Sequence, residues 1–144
     1  MKAYFTIIVL VVGIGISYGD LFDTGEDLER RYGKPVSTEE TARYTKYEFK
    51  WSNYNIQAWL IKGIEPDSDF AALNGRVVFQ KVSRENERPM DSHEFEKFLK
   101  FDNSRYEWKY AGGDFWTMRS YGTAKYDRTN RTLILRFGEH GVRE

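Results

Sequence analysis

The 144-residue sequence contains no cysteine and only two histidines. Without cysteine the chain forms no disulfide, offers no thiol nucleophile and has no thiolate ligand for zinc. A lipoprotein is excluded as well, because no cysteine follows the N-terminal apolar stretch for acylation. Small extracellular domains of eukaryotes usually depend on disulfides, so their absence favours a bacterial envelope or secreted protein.

Motifs of common enzyme and metal sites are also missing. The chain has no G-x-S-x-G nucleophile motif, no phosphate-binding glycine loop and no H-E-x-x-H zinc motif. For His93 a solvated helix start is favoured over a metal or catalytic role, and His140 lies in a polar tail. The acidic stretch 65–69 lacks the glycine and the distal glutamate of an EF-hand calcium loop, so a solvated loop is favoured. The sequence therefore predicts a protein that is not an enzyme and has no catalytic residue, no metal and no cofactor.

Charge and aromatic content point away from nucleic acid and towards a ring-rich core. The 22 basic and 22 acidic residues balance, which gives no argument for a nucleic-acid partner. The chain has 4 Trp, 10 Tyr and 10 Phe. We therefore expect the core to be built from aromatic rings as much as from aliphatic side chains.

The first twenty residues, MKAYFTIIVLVVGIGISYGD, have the layout of a secretory signal peptide. Lys2 precedes an apolar run over 3–16, and small residues stand just before Asp20. The run is shorter than the roughly twenty residues that span a bilayer. A cleaved signal over 1–19 is favoured, and an uncleaved anchor is the alternative. Residues 20–144 then form a single secreted or periplasmic domain that is not inserted in a membrane.

The stretch DLERRYGKP predicts a short helix that ends abruptly. Asp23 or Thr24 can cap it, and Leu28 and Tyr32 lie four residues apart on one face. Gly33 favours a helix end, and the proline that follows prevents continuation. The next stretch, STEETAR, is predicted to be a polar linker.

Three strands are predicted after this linker. In YTKYEFKW (44–51) rings alternate with charged residues, which is typical of a half-buried antiparallel strand. The second strand is NIQAWLIKG (55–63), with Trp59 on the face opposite the small and aliphatic residues. RVVFQKVSR (76–84) is the third.

The second half of the chain repeats this order of a helix followed by strands. Asp91 and Glu94 form a capping-box pair at the start of a helix whose apolar face holds Phe95, Phe98 and Leu99. Three or four further strands are predicted, in the stretches 105–110, 114–120, 121–128 and 131–137. The order predicts the α+β class: an antiparallel sheet of about six or seven strands, two short helices packed on one face, and two similar half-units.

The first half resembles a known envelope family. The short helix, the tetrapeptide YGKP, the aromatic strand YEFKW and the later strand NGRVVFQKV are similar to the helix-Gly-x-Pro-strand pattern of the BamE (SmpA/OmlA-like) family. The two-half layout also resembles the beta-lactamase-inhibitor-like fold. The resemblance covers 23–83. It implies a small non-catalytic envelope module that binds other proteins, and it transfers no catalytic residue.

Aromatic side chains are the remaining candidates for a binding site. Trp51, Tyr54, Trp59 and Trp116 are the candidate binding residues, because Tyr and Trp anchor protein partners and flat rings stack on sugars. Core packing is the alternative for most of them. The leading hypothesis is a secreted or periplasmic protein-binding module. Binding of carbohydrate or cell-wall ligands is the alternative, and a small hydrolase with a carboxylate pair ranks last.

Overall fold

The structure, a computed structural model, describes residues 22–101, 107–118 and 122–137. The predicted signal peptide at 1–19 and His140 lie outside these residues. Two α-helices, one short 3-10 helix and one antiparallel sheet form the described part, which confirms the α+β class. None of the helices in this part is long and apolar enough to cross a membrane.

Along the chain, each of the two α-helices is followed by four strands. The helices are α1 (Gly25–Tyr32) and α2 (Ser92–Phe101), and the 3-10 helix spans Ala71–Leu73. The strands are β1 (Ser37–Glu40), β2 (Tyr44–Trp51), β3 (Tyr54–Ile61), β4 (Val77–Arg84), β5 (Lys109–Gly112), β6 (Phe115–Met118), β7 (Gly122–Asp127) and β8 (Thr132–Phe137).

The strands form one sheet with the order β1-β2-β3-β4-β8-β7-β6-β5. Strands β4 and β8 pair in the middle, and β1 and β5 are the edges. Each half of the sheet is a four-stranded meander that follows one helix along the chain. The two similar half-units stay a prediction, which this order supports.

The eight strands exceed the six or seven predicted from the sequence, and the difference is β1. Ser37–Glu40 lies inside the stretch that was predicted to be a linker. All four side chains are exposed, so no alternation of apolar and polar residues marks this strand. It forms because its backbone pairs with β2, from Ser37 opposite Glu48 to Glu40 opposite Thr45. A pairing of this kind carries no local sequence signal.

Helix α1 begins at a capping box and ends at a glycine. The N-cap is Thr24, whose Oγ1 accepts a hydrogen bond from the Asp27 N–H (3.2 Å). The Asp27 carboxylate accepts in turn from the Thr24 N–H (2.9 Å). Gly33 has φ +84°, a conformation that disfavours side chains with a Cβ, and it ends the helix. Leu28 and Tyr32 are both buried, as their spacing predicts.

Helix α2 begins at the predicted pair. The Asp91 carboxylate accepts from the Glu94 N–H (3.1 Å), and the Glu94 carboxylate accepts from the Asp91 N–H (2.7 Å). Phe95, Phe98 and Leu99 are buried, which confirms the predicted apolar face.

Both helices pack against the same face of the sheet. The Tyr32 ring of α1 lies 5.6 Å from the Trp51 ring of β2, and the Phe98 ring of α2 lies 4.9 Å from the Tyr54 ring of β3 (centroid distances). Trp51 and Tyr54 are cross-strand partners, so their side chains point to the same side. On β3 every second residue from Tyr54 to Leu60 is buried, and this face holds the core.

A partly buried ion pair connects α1 to the segment before it. Two guanidinium nitrogens of Arg31 donate to the Asp23 carboxylate at 2.8 and 3.3 Å, and Asp23 is 5% exposed. Burial acts to lower the pKa of Arg31, but the hydrogen bonds and charge of Asp23 outweigh it and raise this pKa.

Candidate functional site

The sheet surface opposite α1 and α2, here called the open face, carries no helix among the residues that the structure describes. One row of paired side chains crosses its centre, one residue from each of four adjacent strands. Lys46 pairs with Trp59, Trp59 with Phe79, and Phe79 with Arg136. Paired residues of an antiparallel sheet share a face, so all four side chains lie together.

Two aromatic rings form the centre of this row. The Trp59 and Phe79 rings meet edge to face, with centroids 4.9 Å apart and planes at 62°. The Lys46 Nζ lies 5.4 Å and the Lys81 Nζ 5.8 Å from the Trp59 centroid. The Arg136 guanidinium carbon lies 5.4 Å from the Phe79 centroid. We call Trp59, Phe79, Lys46, Lys81 and Arg136 the Trp59 cluster.

The members of the cluster differ in exposure. Phe79 is 1% exposed, whereas Trp59, Lys46, Lys81 and Arg136 are partly exposed. A cation over an aromatic ring at an exposed site contributes about 0.5–1 kcal/mol. These contacts favour cation positions close to the rings, so the surface of the cluster is cationic around an aromatic centre.

A groove of about 390 Å³ lies beside the cluster on the open face. Its polar lining includes Glu48, Asn55, Gln57, Lys81, Ser83 and Thr132. A second groove of about 410 Å³ shares Asn55, Ser83 and Thr132 with it and continues to Arg131. The two grooves together offer amide, hydroxyl and charged groups at the end of the sheet where β2 turns into β3.

Glu48 is the groove carboxylate that contacts the Trp59 cluster. It accepts from the Gln57 Nε2 (3.0 Å) and pairs with the Lys46 Nζ (3.0 Å). The hydrogen bond from Lys46 lowers the pKa of Glu48. A general acid in a hydrolase needs a raised carboxylate pKa, so this group gives the hydrolase hypothesis no support.

The four residues predicted to bind lie in three different places. Trp59 is on the open face. Trp51 and Tyr54 stack on each other on the helix-covered face, with centroids 6.3 Å apart. Trp116 also lies on that face, in the other half of the sheet, 5.5 Å from the Phe95 ring. The structure therefore does not bring the four together, and their binding roles stay predictions.

Tyr54 is held inside the fold rather than presented to solvent. It is 8% exposed, and its hydroxyl donates a 2.5 Å hydrogen bond to the Glu94 carboxylate. Burial, together with the bond to Glu94, raises the pKa of Tyr54 to about 12. Trp51 contacts Phe98 at 6.1 Å, and the Lys97 Nζ lies 4.7 Å from its centroid. Both side chains connect α2 to the sheet.

Residues that the sequence interpretation missed surround Trp59. Lys46 and Lys81 were assigned only to strands, and Phe79 and Arg136 were not singled out. Within its own strand, each of these four residues alternates with residues of the helix-covered face. The register that places the four side by side depends on pairing between strands, and no single stretch of sequence encodes it. Two exposed aromatics were also missed: within the described ranges, Tyr110 and Phe115 are the most exposed large rings, and they lie on β5 and β6 at the far edge.

No group of three possible metal-binding side chains gathers within the described ranges, including the acidic stretch 65–69. His93 is exposed near the start of α2. Comparison of the chain with protein-family models, curated proteins and solved structures found no match.

Proposed function

We propose that this chain is a non-catalytic protein-binding module, secreted or periplasmic, and that the open face is its docking surface. The observation that carries the proposal is the Trp59 cluster, which lies at the centre of a sheet face with no described helix on it. Tryptophan and arginine are enriched among the residues that dominate binding energy at protein interfaces. Trp59 is partly exposed, and its edge-to-face contact with the buried Phe79 ring holds its indole in place.

The open face is comparable in area with one side of a standard interface. Neighbouring strands lie about 4.8 Å apart, so eight strands span about 34 Å. The longest strands, β2, β3 and β4, have eight residues and are about 26 Å long. The product, roughly 900 Å², is an upper value because the other strands are shorter. With the actual strand lengths the face covers roughly 760 Å², close to the about 800 Å² per partner that a standard interface buries.

Sequence features support the compartment and the class of partner. The stretch 1–19 has the layout of a secretory signal, and the absence of cysteine favours a bacterial envelope protein. The resemblance of 23–83 to the BamE family implies binding to other envelope proteins. Secretion can be tested directly by the N-terminal sequence of the exported protein, which we expect to begin at Asp20.

Site-specific photo-crosslinking tests the docking surface. A photoreactive amino acid at Thr123 lies on the open face, because Thr123 pairs with Arg136. The same amino acid at Glu96, exposed on α2, is the matched control. We expect the Thr123 probe alone to form an adduct with a protein of the envelope or medium. Unlabelled protein should compete for the adduct, and folded Trp59→Ala protein should not.

Two outcomes of this experiment would contradict the proposal. Equal amounts of adduct from the Thr123 and Glu96 probes would show that proteins contact this chain without preferring the open face. An absence of adducts at Thr123 in every cell fraction would leave the open face without a partner. Urea unfolding of the Trp59→Ala protein shows whether lost competition reflects lost binding or lost folding.

Glycan binding is the second candidate, and the groove beside the Trp59 cluster favours it. Asn55, Gln57, Ser83 and Thr132 line the groove and supply the amide and hydroxyl groups that sugars bind. Titration with a broad glycan panel, followed by tryptophan fluorescence, tests this function with Trp59→Phe as the control. We expect a signal that Trp59→Phe removes, and a panel without any change would exclude it.

A further inference from the structure

We infer that the partner docks through an acidic patch, with carboxylates arranged around an apolar or aromatic centre. The inference rests on the proposed docking role of the open face and adds the chemistry of the partner. It starts from the distribution of charge. The whole chain is neutral, with 22 basic and 22 acidic residues, but the described strand positions of its open face carry an excess of cations.

Strand register determines which charges share the open face. Six cations and three carboxylates are in phase with Trp59 across the paired strands: Lys46, Lys50, Lys81, Lys109, Lys125 and Arg136 against Glu39, Glu48 and Asp127. At these strand positions cations outnumber carboxylates two to one. Lys50 also pairs with the Glu85 carboxylate just beyond β4, so the remaining excess lies at the Trp59 cluster and in the second half of the sheet. A complementary partner surface is negative, since like charges across an interface disfavour binding.

The arrangement of the cations is as informative as their number. Lys46, Lys81 and Arg136 come from three different strands and lie within 6 Å of the two rings at the centre. Interfaces combine an apolar, aromatic-rich core with a polar rim. If an apolar side chain of the partner packed on Trp59, partner carboxylates around that side chain would lie close to the three cations.

Contacts within the cluster favour a protein over single-stranded nucleic acid. Bases bind by stacking on open aromatic faces along a positive track. Here ammonium groups lie over Trp59, Arg136 lies over Phe79, and Phe79 is 1% exposed. Glu48 lies 3.0 Å from Lys46 and would repel a phosphate backbone at this point.

Selection from a random peptide library can show which residue types bind the open face, even though no partner is known. A random cyclic-peptide library is selected on the purified protein, and the selected peptides are then tested on folded Trp59→Ala protein. We expect the selected peptides to be richer in Asp and Glu than the starting library, with an apolar residue between the acids. Their binding should weaken as salt rises, because salt screens exposed charges.

Charge reversal then tests the named residues with the selected peptides. Lys81→Glu and Arg136→Glu should each lower affinity about tenfold, since a lost exposed pair and a new repulsion of similar size add. Lys100→Glu, an exposed change of the same kind on α2, is the matched control and should leave affinity unchanged. Thermal unfolding of each variant confirms that it is folded.

The outcomes separate this inference from the proposed function. Peptides that need Trp59 but carry no acidic excess, or that tolerate both reversals, would overturn the acidic partner and leave the docking face intact. Peptides that bind Trp59→Ala equally well, or a library without binders, would overturn both. Tighter binding of oligothymidylate or phosphatidylglycerol vesicles, lost in the same reversals, would assign the cations to nucleic acid or membrane and overturn the inference.

Discussion

Glu94 connects helix α2 to the sheet, and we expect Glu94→Gln to destabilise the fold in a pH-dependent way. Its carboxylate accepts from the Tyr54 hydroxyl (2.5 Å), the Arg84 Nε (2.7 Å) and the Asp91 N–H (2.7 Å). The Glu94 side chain is only 12% exposed. Three elements therefore meet at one carboxylate: β3, β4 and the start of α2.

The expected loss for Glu94→Gln is about 2 kcal/mol at pH 7. Glutamine has the same shape, but it cannot accept from Tyr54, Arg84 and the Asp91 N–H through two carboxylate oxygens. Loss of a helix cap typically costs about 1 kcal/mol. Replacing a charged acceptor by a neutral one at the Tyr54 hydroxyl costs about 1 kcal/mol more. We assign little to Arg84, because it lies at the surface and water screens its charge.

The pH dependence follows from the direction of the Glu94 shift. Burial acts to raise the pKa of Glu94, but hydrogen bonds from Tyr54, the Asp91 N–H and Arg84 outweigh it and lower this pKa. The folded state therefore favours the charged form. Its stabilisation is complete above the unfolded pKa of about 4.3 and is lost as pH falls through the lower folded pKa. Glu94→Gln has no such titration.

Urea unfolding of wild type and variant at pH 7 and at several values below about 4.3 tests this reasoning. Glu96→Gln, an exposed change two residues along α2, is the matched control and should cost less than about 0.5 kcal/mol. We expect the difference in free energy of unfolding between wild type and Glu94→Gln to become smaller as pH falls. A loss at pH 7 no larger than that of Glu96→Gln, or a gap that stays constant in acid, would refute it.

Two further changes test other parts of the core. Asp23→Ala removes the carboxylate that pairs with the partly buried Arg31 and should destabilise by about 2–3 kcal/mol in urea unfolding; wild-type stability would contradict a stabilising role for this ion pair. Trp51→Ala removes ring contacts with Tyr32, Tyr54 and Phe98 and should cost about 3 kcal/mol. If thermal unfolding showed Trp59→Ala to be the more damaging of the two tryptophan changes, the assignment of Trp51 to the core would be wrong.

Local patterns predicted the parts of this fold that depend on nearby residues. The capping box at Asp91 and Glu94, the helix end at Gly33 and the alternation of β2 are all set within a few residues. Strand β1 depends instead on its pairing with β2, and its exposed side chains give no signal. The eight-strand count could therefore not be read from composition or periodicity.

The candidate site also has parts that local sequence patterns could predict and parts that depend on strand register. Trp59 was singled out because it lies out of phase with Ile56, Ala58 and Leu60, and the structure places it on the opposite face from them. Tyr54 is in phase with those three residues, so the alternation already contained a signal for its burial. Tyr54 was nevertheless chosen as a binding candidate because it lies in SNYN (52–55), a predicted turn. The cations around Trp59 required the register of four strands, which no single strand encodes.

The alternation that builds the core also builds the charged surface. On β2, rings at Tyr47, Phe49 and Trp51 point to the helices, so Lys46 and Lys50 necessarily point to the open face. Exposed aromatic surface on a sheet promotes association between copies, and charged side chains limit it. Cations around Trp59 and Phe79 therefore oppose self-association, because a second copy would bring like charges together. The same cations would attract the negatively charged partner that we propose, so one arrangement would both disfavour self-association and favour that partner.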